Sequence, residues 1–360
     1  MQKRLNNIIS SVCELDKSAM NTALARQAKL VKPPGSLGRL EELSSQLAGI
    51  TGSVHNELNK KHLLVFAADN GVVAEGVASA PQSVTLQQAI NLTRAKTGAS
   101  VLAKRFGCGI SVCDVGINAD VKEPKVINKK IAYGTNNIAV GTAMSRRQAL
   151  QAIVTGAELA MSIDADVFGI GEMGIGNTTT ASAVLAVLLN KDVKEVTGRG
   201  GGITDESFIK KKEVIRRAIS INQPDKNDVI DVISKVGGFD IAAMCGAFIG
   251  AASLHRPAVI DGFISAAAAL CAVKLCPLAV NYLIPSHASY EIGYKSAMNA
   301  MDLKPMINLD MRLGEGSGCP LAFQILDAAC AIINDMATFE QAGIDDRYLD
   351  EIRKGDSFTP

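Results

Sequence analysis

Val167-Phe-Gly-Ile-Gly-Glu-Met-Gly-Ile-Gly-Asn-Thr-Thr-Thr180 is the stretch whose reading decides the fold. Residues 167–170 are a short apolar run of the strand type. Glu172 and the glycines at 171, 174 and 176 then break it, and the alanine-rich stretch 181–189 continues as a helix. The same grammar recurs along the chain. Residues 63–68 run into Ala-Asp-Asn-Gly, residues 110–115 into Asp114-Val-Gly, and residues 258–260 into Asp261-Gly. Short apolar strands ending in acids or glycines, each followed by a helical stretch, predict a parallel sheet. Ligands of such sheets bind outside the carboxyl ends of the strands. Asp69, Asp114, Glu172 and Asp261 are therefore expected along one edge.

Outward from the sheet, residues 1–30 have helical spacing until Lys-Pro-Pro-Gly-Ser-Leu-Gly (32–38) interrupts them. Ser36 is the expected cap of a following helix through Leu40, Leu43, Leu47 and Ile50. The last forty residues return to helical, polar-faced sequence. The expected fold is α/β: a Rossmann-like parallel sheet flanked by helices in a large domain over residues 60–330. Residues 1–59 and 331–360 are expected to form a small helical subdomain. No internal repeat and no low-complexity linker divides the chain.

The composition excludes several classes. A net charge of +1 and no basic cluster with interleaved aromatics give no footprint for nucleic acid. With no Trp and 4% aromatics, the core must be aliphatic and alanine-rich. The 8 cysteines include no CxxC pair, and the 4 histidines, at 55, 62, 255 and 287, lack ligand spacing beside them. Zinc is not expected. Cysteines in apolar stretches behave as small hydrophobes and suit a reducing, cytoplasmic compartment. The N-terminal stretch has no apolar segment of the secretory type. Residues 240–283 are very apolar, yet Arg256, Pro257, Asp261 and Lys274 interrupt them. No clean run reaches the ~20 residues that a bilayer requires, so this region reads as buried core and no membrane association is expected.

Chemistry is carried first by Arg312-Leu-Gly-Glu-Gly-Ser-Gly318. Glycines on both sides of Glu315 remove side-chain bulk, so that a ligand can approach the carboxylate closely. Residues 171–180 read either as an anion cradle at a helix N-terminus or as a tight turn capped by Asn or Thr; the Walker A lysine is missing. Gly198-Arg-Gly-Gly-Gly202 is a second donor-rich loop. Lys210, Lys211 and Lys212 follow it, and one lysine turned inward toward a phosphate is expected. Pro285-Ser-His-Ala-Ser-Tyr-Glu291 contains Ser, His and an acid but no nucleophile elbow, so His287 reads as structural. The small-residue loop 69–82 reads as an ordinary surface loop or as a wall for a flat apolar ligand.

With these segments assembled, the chain resembles the nicotinate-nucleotide–dimethylbenzimidazole phosphoribosyltransferases, the CobT family of cobalamin nucleotide-loop assembly. The resemblance runs nearly end to end, in order. It includes KPPGSLGRLE (32–41), ADNGV with EGVA (68–78), TRAKTG, DVGI, NNIAVG (136–141) and AMSR (143–146). FGIGEMGIGNTT (168–179), SKVGGFD (234–240), DGFIS (261–265), YLIPSH (282–287) and MRLGEGSG (311–318) follow. The resemblance implies transfer of phosphoribose from nicotinate mononucleotide to 5,6-dimethylbenzimidazole, without metal or cofactor, by a homodimer. It implies catalytic roles for Glu315, as general base, and for Glu172 at the sugar end of the site. Gly174, Gly176, Asn177, Thr178, Gly200, Gly201, Lys211, Asp261 and Ser289 are implied to hold the nucleotide. Ala80, Gln88, Leu313 and Gly314 are implied to line the base pocket, and Ala80 departs from the hydroxyl residue frequent in relatives. Activation of another aromatic base, hydrolysis with water as acceptor, and a silent nucleotide-binding protein are the alternatives at this level.

Overall fold

The computed structural model describes residues 1–350. By internal contacts the chain forms two units: Met1–Cys13 with Lys60–Ala322, and Glu14–Asn59 with the chain from Phe323 on. The first helix, Gln2–Ile9, thus packs with the large unit rather than with the helical subdomain of the sequence reading. The hydroxyl of Tyr282 donates to the Cys13 carbonyl at 3.0 Å and secures this segment. Residues 351–360, which the sequence reading assigns to the helical subdomain, lie outside the described residues.

The large unit is built on six parallel strands. They are β1 (Lys61–Ala68), β2 (Gly109–Gly116), β3 (Val126–Asn128), β4 (Val167–Met173), β5 (Ala258–Ile260) and β6 (Leu283–Pro285). Their order is β3-β2-β1-β4-β5-β6, with β1 in register with β4 as Leu64 beside Ile170 and Phe66 beside Glu172. Continuous apolar strands belong at the centre of a parallel sheet, where both faces are covered. Accordingly, β4 is buried along its whole length, and β1 from Leu63 on. The order reverses between β1 and β4, and the carboxyl ends of those strands open the crevice that such a reversal creates.

Helices cover the sheet through small residues. Arg146–Ser162 and Phe239–Ser253 pack so closely that a Cβ on Gly156 would lie 1.8 Å from the Ala243 carbonyl oxygen. A Cβ on Gly246 would meet the Ile153 carbonyl oxygen at the same distance. Phe239–Ser253 is buried from Phe239 to Ala252, and Phe263–Leu275 from Phe263 to Ala272. The apolar stretch 240–283 is thus core, and among the described residues no helix is long and apolar enough to cross a membrane.

The second unit has the helices Lys17–Gln27 and Arg39–Thr51 and a small core of Ala19, Ala23, Ala48 and Ile333. Ser36 does not cap the second of these. It closes a turn on the Pro33 carbonyl (3.2 Å), two residues too early, and Gly38 occupies the cap position with φ 47°. The start of this helix is held instead by Glu41, which accepts from the Leu37 N–H at 3.0 Å and pairs with buried Lys32 at 2.7 Å. Two strands escaped the sequence reading, β3 and β6. Each has three residues, too few to display a period, and neither ends in the acid and glycine that marked the equally short β5.

Candidate active site

At the carboxyl ends of β4, β5 and β6 the large unit holds a cleft with about 1050 Å³ of space, partly continuous with solvent. Its lining includes Gln88, Glu172, Gly174, Gly176, Asn177, Thr178, Gly200, Gly201, Asp261, Ser289, Leu313, Gly314 and Glu315. Two of the residues singled out from the sequence fall outside it. Ala80 is half-buried beyond the wall, whose place is taken by Ser79. Lys211 is buried beneath the floor.

Glu315 stands in a loop that only unusual backbone angles can form. Gly314, Glu315 and Gly316 have φ of 84°, 64° and 81°, three left-handed residues in succession. For glycine this is inexpensive; for Glu315 it is strained and needs support from its surroundings. The support comes from below. The Asp261 carboxylate accepts the Gly316 N–H at 3.0 Å and the Gly318 N–H at 2.7 Å. Gly171 on β4 lets the loop settle on the sheet: a Cβ there would lie 2.5 Å from Gly316 Cα. Asp261 therefore shapes the loop with both carboxylate oxygens, and burial pushes its carboxyl up to about 7 against those donors.

The Glu315 carboxylate is oriented from two sides. Gln88 Nε2 donates to one oxygen at 3.2 Å, and Asn91 Nδ2 in turn holds Gln88 Oε1 at 3.1 Å. The Ala99 N–H donates to the other oxygen at 3.4 Å. Ala99 lies in the first turn of the helix Gly98–Arg105, capped by a Thr97–Ser100 box, where N–H groups lack helical partners. The carboxylate is buried, and the apolar part of the cleft lining includes Val77, Ala78, Val84, Ile175 and Leu313. The loop 69–82 thus contributes to the cleft.

The opposite end is rich in donors. Gly176, with φ 91°, precedes the helix Asn177–Leu189, which starts four residues earlier than composition suggested. Lys211 donates its Nζ to Thr178 Oγ1 at 2.8 Å and to the Gly198 carbonyl at 3.1 Å, tying the two glycine loops together. Burial lowers this lysine to about 8, and nearby Glu291 opposes the shift. Glu291 itself accepts from the Gly200 N–H at 2.9 Å and is raised by burial. Sequence reading missed Glu291, Arg199 and Arg312 as cleft residues, because single charges in loops carry no pattern. His287 does line the cleft. It is buried and lowered by desolvation to about 4, so the imidazole is neutral.

Glu172 is the most perturbed acid. Burial pushes it up to about 8, with Asp240, Asp261 and Glu315 adding like charge and the Asn177 amide opposing. Of the four strand-end acids, only Glu172 and Asp261 reach the cleft. Asp69 accepts from Asn118 N–H at 2.7 Å, and Asp114 accepts from Gly116 and Ile117 while pairing with Lys130. Those two hold the neighbouring loops, which is the commoner use of a buried carboxylate among backbone N–H groups.

Comparison with known proteins agrees with this architecture. A family described as phosphoribosyltransferase matches residues 12–344. The nicotinate-nucleotide–dimethylbenzimidazole phosphoribosyltransferase of Clostridium tetani is 46% identical over 358 residues, 98% of this chain and 99% of that one. The enzyme of the same name from Ruminiclostridium cellulolyticum is 50% identical over 340 residues, 94% of this chain and 97% of that one. A crystal structure of CobT from Thermus thermophilus superposes with a TM-score of 0.88 at 36% identity, covering 91% of this chain and 99% of that chain. Likeness at this level over nearly the whole length, on the same parallel sheet, means that the chain belongs to the nicotinate-nucleotide–dimethylbenzimidazole phosphoribosyltransferase family.

Proposed function

We propose that this enzyme transfers phosphoribose from nicotinate mononucleotide to 5,6-dimethylbenzimidazole, with Glu315 as the general base. One ring nitrogen of the benzimidazole attacks the anomeric carbon while its N–H proton, on the other nitrogen, passes to Glu315. The bond from the anomeric carbon to the pyridinium nitrogen breaks, and its electron pair leaves with nicotinate. The products are α-ribazole 5′-phosphate, formed with inversion, and nicotinate. A pyridinium is already a good leaving group, so one base and correct placement suffice.

The observation that carries this reading is the Glu315 carboxylate, buried at a partly apolar cleft and oriented by Gln88 and the Ala99 N–H. The glycine loops at 174–176 and 200–201, with Asn177, Thr178 and Ser289, are proposed to receive the phosphoribosyl group. Lys211 would act through Thr178, and Asp261 through the Glu315 loop. Gln88, Leu313 and Gly314 are proposed to flank the base. A cytoplasmic setting and a homodimer belong to the same reading and rest on the family resemblance.

Product formation from the two substrates, compared between wild type and Glu315→Gln, tests it. Loss of a positioned base lowers turnover by about 10²–10⁴. Formation of the α-riboside by wild type with a fall of that order is expected. Equal turnover of the two proteins would remove Glu315 from the proton transfer, and absence of product from wild type would refute the choice of substrates.

A further inference from the structure

Asp240 closes the segment SKVGGFD (234–240) and has been given no role so far, yet it is joined through Asn177 to the most perturbed acid in the cleft. It lies in the first turn of the helix Phe239–Ser253 and is completely buried. Asn177 joins it to the cleft. The single amide nitrogen of Asn177 donates both to Glu172 Oε2 and to Asp240 Oδ2, the latter at 3.0 Å. An amide nitrogen carries two protons, and each points at one carboxyl.

Asp240 cannot turn away from this arrangement. Its Oδ1 accepts from the Ile241 N–H at 3.0 Å. A Cβ on Gly238 would lie 2.3 Å from the same oxygen, and one on Gly174 would lie 2.9 Å from Oδ2. The two glycine turns are closed around the carboxyl.

Three further acids act on Glu172 through space. Glu172 from β4 meets Asp240 from its helix, Asp261 from the end of β5 and Glu315 from the 314–316 loop, with Asn177 between the first two. Acids so close do not all ionise together. The donors decide where a proton stays. Asp261 has two backbone N–H groups, Glu315 has Gln88 and Ala99, and Asp240 has Ile241. Glu172 has only the amide that it shares. We propose that Asp240 is a positioning residue of the transfer reaction: through Asn177 it fixes the Glu172 carboxyl in place, and by its own nearby charge, against the pull of that amide, it keeps Glu172 a neutral acid presenting an O–H donor to the ribose. The benefit is electrostatic. A nucleotide that brings both a phosphate and a carboxylate meets one charge fewer in the cleft.

This rests on the proposed reaction, so the test has a part that needs no substrate. Infrared difference titration of the whole enzyme reads the carbonyl band of a neutral carboxylic acid, and Glu172→Gln identifies which band is Glu172. Glu172 lies near 8 because of burial and like charge. Asp240→Asn removes one of those charges, so the band should vanish at a pH lower by about one unit. Asn177→Ser removes the donor that favours the charged form, so the band should persist to higher pH. Opposite shifts in the two variants are expected, and either variant suffices should the other fail to fold.

With substrates, the alkaline limb of the kcat profile should follow the Asp240→Asn shift, while adding Asp240→Asn to Glu172→Gln should move no limb. A kcat loss with an unmoved limb and an unmoved band would reduce Asp240 to a structural residue and overturn the proposal. Wild type that forms no α-riboside but shows the infrared shifts would refute the substrates alone.

Discussion

Glu315 shows how one side chain can depend on the absence of others. Its φ of 64° is tolerated because Gly314 and Gly316 share the left-handed run and Asp261 holds the loop from beneath. Gly171 is the least conspicuous member of this arrangement, a glycine in a buried strand where a side chain would ordinarily add stability. Alanine at 171 would put a Cβ 2.5 Å from Gly316 Cα and 2.9 Å from the Glu315 carbonyl carbon. Backbone cannot yield as a side-chain tip does, so the loop must shift. Gly171→Ala is expected to cost about 1–3 kcal/mol in urea unfolding and to lower kcat by about 10²-fold through misplacement of the base. Full turnover in this variant would mean that the loop tolerates displacement.

Among the elements, the helix pair Arg146–Ser162 and Phe239–Ser253 sets the rigidity on which Asp240 relies. Their contact is backbone against backbone at Gly156 and Gly246, and a methyl group at 246 would fall 1.8 Å from a carbonyl oxygen. Gly246→Ala should therefore destabilise the protein by about 1–3 kcal/mol despite the higher helix propensity of alanine. Urea unfolding that showed greater stability would mean that the helices separate freely. Sequence patterns marked four of the six strands because continuous apolar runs belong to central parallel strands. The edge strands β3 and β6 carry three residues each and were invisible. Ser36 misled for a related reason. A capping residue type identifies a helix start only if the turn before it ends at that residue.

For the whole molecule, the buried acids link stability to pH. The Glu172 carboxyl has an ordinary value of 4.5 and about 8 in the fold. The folded state thus retains a proton that the unfolded chain has already released. Its stabilising contribution is complete below the unfolded value and is lost as pH rises toward 8. Buried His287, lowered to about 4, acts in the opposite sense, but only below 6.5. Lys211, lowered to about 8, acts above that value. Between pH 6.5 and 8 the acids dominate, and stability should fall by up to about 1.4 kcal/mol per pH unit. Urea midpoints measured across that range should decline for wild type and less steeply for Glu172→Gln, in which Asp261, raised to about 7, still contributes at the lower end; parallel declines in both would assign the slope to another group.

The amino-acid sequence by itself determined the class of the fold, the family, and the glycine loops and strand-end acids from which the cleft is partly built. Strand ends marked by Asp69, Asp114, Glu172 and Asp261, and glycine loops at 174–176, 198–202 and 314–316, are local features, and local features are written in neighbouring residues. Only the tertiary structure decided which of those groups meet. It separated Asp69 and Asp114 from the cleft, set Lys211 beneath the floor, turned Asp261 toward the Glu315 loop, and gave places at or beside the cleft to Asp240 and Glu291, which their segments had not assigned. Those contacts join residues far apart in the chain, and the proton shared among buried acids depends on distances between elements. Burial and like charge act through space, so they become visible only when the sheet has gathered its strand ends.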